Sequence, residues 1–142
     1  MREMSDAERR EFLTKGTRTG KLATVRADGS PHVVPIWFVL DGDSLVFTVD
    51  AASVKAKALR RDPRVSVCVD DEVPPYAFVL VEGTAAILDE DAEEKLHWTT
   101  RIGGRYMGAD RAEEFGRRNA VPSELLVRLP PTRLVARAAI AD

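Results

Sequence analysis

Cysteine occurs once in this chain, at Cys68, and histidine twice, at His32 and His97. A single thiol excludes an internal disulfide and any cysteine-cluster metal site, and it suits a reducing cytoplasm. Neither histidine has a partner at ligand spacing, so no metal site is expected. No apolar run approaches the roughly 18–20 residues of a membrane span. The stretch Met1-Arg2-Glu3-Met4-Ser5-Asp6 has no apolar signal core, so neither membrane insertion nor export is expected. There is no P-loop, no GxGxxG fingerprint and no nucleophile elbow. A net charge of −2 argues against a nucleic-acid partner, which calls for a basic surface.

What is present is an ordinary globular composition, 44% hydrophobic and 31% charged, over a length that fits one domain spanning residues 1–142. There is no internal repeat, low-complexity segment or linker. Ser5-Asp6-Ala7-Glu8 reads as a capping box opening a helix to about Lys15. Thr19–Ala27, Pro31–Asp41 and Ser44–Val49 read as strands joined by turns at Asp28-Gly29-Ser30 and Gly42-Asp43, an antiparallel meander. The cationic segment Ser53–Arg61 reads as a helix stopped by Asp62-Pro63. Val65, Val67 and Val69 then alternate as a half-buried strand, with Cys68 a small buried residue within it. Asp70–Pro75 is a polar loop, and Tyr76–Leu88 one long strand with a bulge or bend at Gly83. Asp89-Glu90-Asp91 suits a helix N-terminus. Gly103-Gly104 should weaken or break that helix, and a second short helix covers Asp110–Arg118. Strands return at Leu125–Leu129 and Leu134–Ile140. Six or so short strands with one connecting helix and a helical insert predict a mainly β fold, a small β-barrel with flanking helices. A doubly wound parallel sheet would need βα alternation from the start, which the first three strands lack.

Two stretches carry chemistry. Val33–Leu40 is apolar on both faces, whereas a barrel wall needs only its inward face apolar. The outward face must therefore meet a partner subunit, a flat ligand, or both. Pro35 cannot donate to a ladder, which places this strand at an edge or distorts it. In the basic segment, Lys57, Arg60 and Arg61 share one helix face while Lys55 points elsewhere. Ser53 can cap the helix, whose free amides favour an anion. A phosphate grip and a solvated basic face both fit that spacing.

The motif Gly20-Lys21-Leu22-Ala23-Thr24-Val25-x-x-Asp28-Gly29-x-Pro31, then Pro35-Ile36-Trp37-Phe38, then Lys55-x-Lys57-x-Leu59-Arg60-Arg61-Asp62-Pro63-Arg64 resembles the pyridoxamine 5′-phosphate oxidase-like split β-barrel family. More closely, it is similar to the actinobacterial branch that uses the deazaflavin coenzyme F420. The resemblance runs from about Thr17 to Leu88, is weaker over Trp98–Gly108, and is vague beyond. It implies an FMN-binding split β-barrel that forms a homodimer, with a cofactor in each groove between two side-by-side barrels. Pro35, Ile36 and Trp37 would line the cofactor ring through their backbone, Thr48 would offer a hydroxyl, and Ser53, Lys55 and Lys57 would hold the phosphate. Ala58 departs from the pattern, since relatives carry a polar side chain there. Arg60, Arg61 and Arg64 match the family but equally fit ion pairs with Asp62 or neighbouring acids.

Trp98, Arg101, Arg105 and Tyr106 would either roof the groove as a substrate wall or belong to a helix packed on the barrel. Tyr106 is a candidate proton donor. The implied activity is an F420-dependent oxidoreductase passing hydride to an unsaturated small-molecule substrate, with no protein acid or base required. FMN is the alternative cofactor, and a non-enzymatic cofactor-binding protein the alternative role. A haem-binding relative is disfavoured, because neither histidine sits where a groove ligand is expected.

Overall fold

The computed structural model describes residues 1–88 and 91–142. Strand β1 (Arg2–Glu3) leads to α1 (Asp6–Thr14), β2 (Gly20–Val25), β3 (Pro31–Ile36), β4 (Phe38–Asp41), β5 (Ser44–Asp50) and α2 (Val54–Arg61). Then come β6 (Arg64–Asp71), β7 (Ala77–Thr84), β8 (Ala86–Ile87), α3 (Ala92–Met107), α4 (Ala112–Asn119), β9 (Glu124–Leu129) and β10 (Pro131–Ala138). The strands form two sheets, ordered β1-β10-β7-β6-β2-β3 and β4-β5-β9-β8, with every recorded pair antiparallel. That excludes the doubly wound alternative. No described helix is long and apolar enough to cross a membrane.

Alternation explains the core. Leu22, Ile36, Phe38, Phe47, Val67, Val81 and Leu129 come from seven different strands and meet in one buried cluster between the sheets. Each such side chain stabilises the fold by about 1.5–3 kcal/mol through removal from water. The capping box at Ser5 forms as expected, with Glu8 N–H on Ser5 Oγ at 3.1 Å and Ser5 N–H on Glu8 Oε1 at 3.3 Å. Gly29 and Gly42 take positive φ in the two hairpin turns, where a side chain would be strained.

Four expectations need correction. Pro31–Asp41 is two strands in two sheets, broken at Trp37: β3 pairs with β2, and β4 pairs with β5. The break keeps both Ile36 and Phe38 in the core while the chain crosses from one sheet to the other. It also changes what covers the outward apolar face. Val39 packs under Trp98 and Ile102 of α3, whereas Val33 stays 61% exposed. Pro35 does sit on an edge strand.

Tyr76–Leu88 is likewise two strands, β7 and β8, separated at buried Ala85 and placed in different sheets. The expected irregularity at Gly83 is a register shift in the facing strand between Pro131 and Arg133. A Cβ on Gly83 would lie 2.4 Å from the Pro130 carbonyl oxygen, so only glycine fits there.

Gly103-Gly104 does not break α3. A Cβ on Gly103 would lie 2.7 Å from Phe115 Cβ, and one on Gly116 only 2.2 Å from Thr100 Oγ1. Missing side chains on both helices let α3 and α4 approach closely. Cys68 is half-buried rather than buried, opposite Lys21 in the β2–β6 ladder. Burial still raises its thiol pKa, with Asp70 adding to the effect. The helix start expected at Asp89–Asp91 falls partly outside the described residues; the cap itself is Asp91, whose Oδ1 accepts from Glu93 N–H at 2.9 Å.

Candidate functional site

The register brings three of the predicted segments to one end of the smaller sheet. Phe38 pairs with Phe47, so the Trp37 break lies beside the end of β5 that carries Thr48. From there the chain turns through Asp50–Ser53 into α2. Asp50 builds the turn: its carboxylate accepts from Ala52 N–H at 2.7 Å and its carbonyl from the Ser53 hydroxyl at 2.6 Å. Ser53 Oγ in turn caps α2 by accepting from Ala56 N–H at 3.1 Å. The first-turn amides of Val54 and Lys55 remain at the open helix end, where an anion is favoured.

Helix α2 buries Ala56, Ala58 and Leu59. Of the remaining positions Val54 is exposed and apolar and the other four are cationic, with Lys55 half-buried and Lys57, Arg60 and Arg61 exposed. Among the described residues none of these four makes an ion pair. Arg60 donates weakly to the Ala51 carbonyl at 3.4 Å, and Arg61 donates to the Val25 carbonyl. Arg61 thereby ties the end of α2 to the hairpin end of β2. Arg64 behaves differently. It forks onto Asp62 through Nε at 3.0 Å and Nη2 at 2.8 Å, and this contact holds the Asp62 carboxyl down at about 2. Ala58 lies on the packed face of α2, so the residue that departs from the motif does not leave a gap in the cationic row.

At the strand break the side chains are already engaged and the backbone is what remains. Ile36 belongs to the core, and the Trp37 indole stacks on the Tyr106 ring at 5.0 Å with 4° between planes. Pro35 is exposed at the sheet edge. The Tyr106 hydroxyl accepts from Phe38 N–H at 3.1 Å and donates to the Arg18 carbonyl at 2.9 Å. Arg105 donates to the carbonyls of Phe38, Leu13 and Gly16 at 2.7, 2.8 and 3.0 Å. The last turn of α3 therefore clamps the break and the segment after α1 together. Burial raises the Tyr106 pKa and lowers that of Arg105, since both groups are withdrawn from water. Motif spacing gave no sign of this clamp.

The predicted substrate wall divides in two. Trp98 is only 7% exposed and packs with Val39, Val46, Ile102 and Leu126 over the smaller sheet. Arg101 lies on the solvent side of that indole, 4.9 Å from its centroid. Tyr106 spends its hydroxyl on backbone groups. Neither aromatic is offered to solvent as a free wall.

A second feature escaped the motif reading. Strands β2 and β6 pair only from Lys21↔Cys68 to Ala23↔Ser66 and then part. An open groove of about 460 Å³ lies there, lined by Val25, Pro31, Arg64, Ser66, Glu82 and Thr132 among others. Thr24 and His32 face each other across the β2–β3 ladder at this end. Thr24 Oγ1 and His32 Nδ1 are both buried without a hydrogen-bond partner. The alternation that puts Leu22 inward puts Thr24 inward too, which is the signal that could have found it.

Comparison with known proteins agrees with this geometry. A conserved hypothetical protein from Mycobacterium tuberculosis is 31% identical, with a TM-score of 0.84 over 96% of this chain and 86% of that one. A protein named as an F420 reductase is 28% identical, with a TM-score of 0.66 over 87% of this chain and 94% of that one. A FAD-binding protein from Mesorhizobium loti is 25% identical, with a TM-score of 0.70 over 95% of each chain. The family profile described as pyridoxamine 5'-phosphate oxidase matches residues 5–136. Two antiparallel sheets sharing one core, a strand that changes sheet at Trp37 and a profile match over nearly the whole length together establish that the chain belongs to the pyridoxamine 5'-phosphate oxidase family.

Proposed function

We propose that this chain is an F420-dependent oxidoreductase, passing hydride between bound deazaflavin and an unsaturated small-molecule acceptor. The observation that carries the reading is the cationic surface of α2, with Lys57, Arg60 and Arg61 on one face and Lys55 on another, four cations with no carboxylate partner among the described residues. The three on one face repel one another unless an anion lies against them. Ser53 shapes the helix end for a phosphate group, with Lys55 and Lys57 beside it, and the adjoining backbone of Pro35–Trp37 is left to a planar ring. The similarity to an F420 reductase supports the deazaflavin over other ring systems.

The redox chemistry belongs to the cofactor when it is bound. The protein's part is to bind, orient and exclude water. Lys55 and Lys57 hold the anionic tail. The α3 clamp fixes the peptide between Trp37 and Phe38, so a bound ring would meet a rigid edge there. Tyr106 acts by position and not as an acid, because its proton is already donated to a carbonyl.

FMN is the second candidate cofactor, favoured by the same phosphate grip and by the similarity to a FAD-binding protein. A cofactor carrier without turnover would need the same grip. We further propose a homodimer joined through the outward face of the larger sheet, where Val33 and Val25 are exposed and Leu80 and Val135 only half-buried. A cytoplasmic location accords with the free thiol of Cys68.

Titrating the purified protein with F420 and with FMN, read by quenching of cofactor fluorescence, tests the proposal. F420 is expected to bind more tightly, and Lys55→Ala to weaken it about tenfold or more, by loss of one charge-assisted contact. Tighter binding of FMN would replace the cofactor, and no binding of either would remove the reading. Oxidation of bound reduced cofactor by a panel of enones and quinones separates an enzyme from a carrier. Light scattering of the eluting protein reports the dimer.

A further inference from the structure

A cavity of about 260 Å³ opens between the C-terminal end of α1, strand β4 and helix α3, away from the cationic row of α2. Thr14, Val39, Leu40, Arg101 and Arg105 line it. We propose that it binds a small organic carboxylate, whose charge bridges Arg101 and Arg105 and whose apolar body rests on Val39 and Leu40.

The two guanidiniums stand four residues apart on one face of α3, a spacing at which like charges repel. Among the described residues no carboxylate lines the cavity and neither arginine forms an ion pair. Arg105 is held in place before any ligand arrives, and Arg101 rests on a ring. Arg101 lies over the Trp98 ring at 4.9 Å, and Arg105 over the Phe38 ring at 4.6 Å. Arg105 has five N–H donors. Its three recorded acceptors are the carbonyls of Leu13, Gly16 and Phe38, so two donors remain. Burial already lowers the Arg105 pKa, as expected of a cation withdrawn from water without an anionic partner. A fixed guanidinium with a second one beside it on the same helix face suits a carboxylate, and the fixed one loses little freedom on binding it.

The rest of the cavity narrows the ligand class. Val39 and Leu40 offer an apolar floor, which inorganic phosphate would not use. The Thr14 hydroxyl donates its proton to the Arg10 carbonyl at 2.8 Å, so it adds no donor for a second anionic group. The volume is below the roughly 300–1,000 Å³ of drug-sized sites. An aromatic or short-chain monocarboxylate fits these limits. Because the site needs no redox cofactor, it stands or falls apart from the F420 reading.

The test titrates the full chain, with no cofactor added, against benzoate, benzamide and inorganic phosphate. Intrinsic tryptophan fluorescence reports the pocket through Trp98 beneath Arg101, and calorimetry gives the affinity. Benzoate should saturate, and benzamide should bind about tenfold or more weakly, for want of the charge-assisted bonds. Arg101→Gln should lose benzoate by a similar factor at unchanged melting temperature, since that side chain is exposed. Thr14→Glu, which sets a carboxylate at the exposed rim, should weaken benzoate binding about tenfold or more while the far-ultraviolet circular dichroism stays that of the parent. Equal binding of benzoate and benzamide, phosphate binding as tight as benzoate, undiminished binding by Arg101→Gln, or no saturation at all would each overturn the proposal.

Discussion

Replacing Tyr106 with phenylalanine takes one oxygen from the point where three segments meet. The ring and its stack on Trp37 stay, so the substitution isolates the hydroxyl. Phe38 N–H then loses its acceptor at 3.1 Å, and the Arg18 carbonyl loses its donor at 2.9 Å. The Phe38 carbonyl keeps Arg105 at 2.7 Å. Stranding a partly buried backbone donor costs about 1–3 kcal/mol. At roughly 3 °C of Tm per kcal/mol for a domain of this size, the fall is about 3–9 °C, nearer the lower end because the site is half-open. Calorimetry at pH 7 measures it. The alkaline limb of the stability curve is the stricter check. Burial raises the Tyr106 pKa above its usual 10.0, so the unfolded chain releases this proton at lower pH than the folded one does. The contribution is therefore complete below that value and is lost as pH rises through the folded pKa. Tyr106→Phe should lack that part of the decline. Identical melting temperatures at pH 7, with parallel alkaline limbs, would refute the clamp.

Three further outcomes follow from single positions. Gly116→Ala should destabilise by about 1–3 kcal/mol in urea unfolding, through overpacking against Thr100; Thr100→Ala should restore only part, because the Thr100 Cα would still lie 2.9 Å from the new methyl. Thr24→Val should leave Tm unchanged or raise it by a few degrees, since the valine replaces an unpaired buried hydroxyl of nearly the same shape; a fall in Tm would mean that a water or ligand holds that hydroxyl. In an NMR titration the Asp62 carboxyl should titrate at about 2 and return toward 3.8 in Arg64→Ala. Its contribution to stability is present above the unfolded value and lost as pH falls through the folded one, and an unshifted carboxyl in the parent protein would contradict the fork.

What the sequence disclosed and what it withheld divide by the range of the interaction. The Ser5 box and the Ser53 cap are bonds between residues three apart, so spacing alone announces them. The cations of α2 are legible for the same reason: a helix face is a property of a short string. Valine alternation in β6 also reads directly, because burial repeats every second residue. Alternation reports which face a residue presents but not which sheet its strand joins. That is why Pro31–Asp41 and Tyr76–Leu88 each looked like one strand, although Ile36 and Phe38 both point into the core on either side of a change of sheet. Gly103-Gly104 misled because glycine's weak helix propensity is local, whereas its use here is to admit Phe115 from another helix. The clamp lies furthest from view. Tyr106 and Arg105 reach Phe38 across 68 and 67 residues, and no periodicity encodes such a pairing. Those long-range bonds decide the chemistry of the break. With Ile36 and Trp37 taken up by packing and the Phe38 amide fixed from α3, the cofactor proposed above would be met at this break through the main chain. On that proposal, the choice between heterocycles would rest on the shape of that backbone and on the cations beside it, so in the F420 and FMN titrations substitutions of Lys55 or Lys57 should change the ratio of the two affinities more than substitutions of Ile36 or Trp37 do.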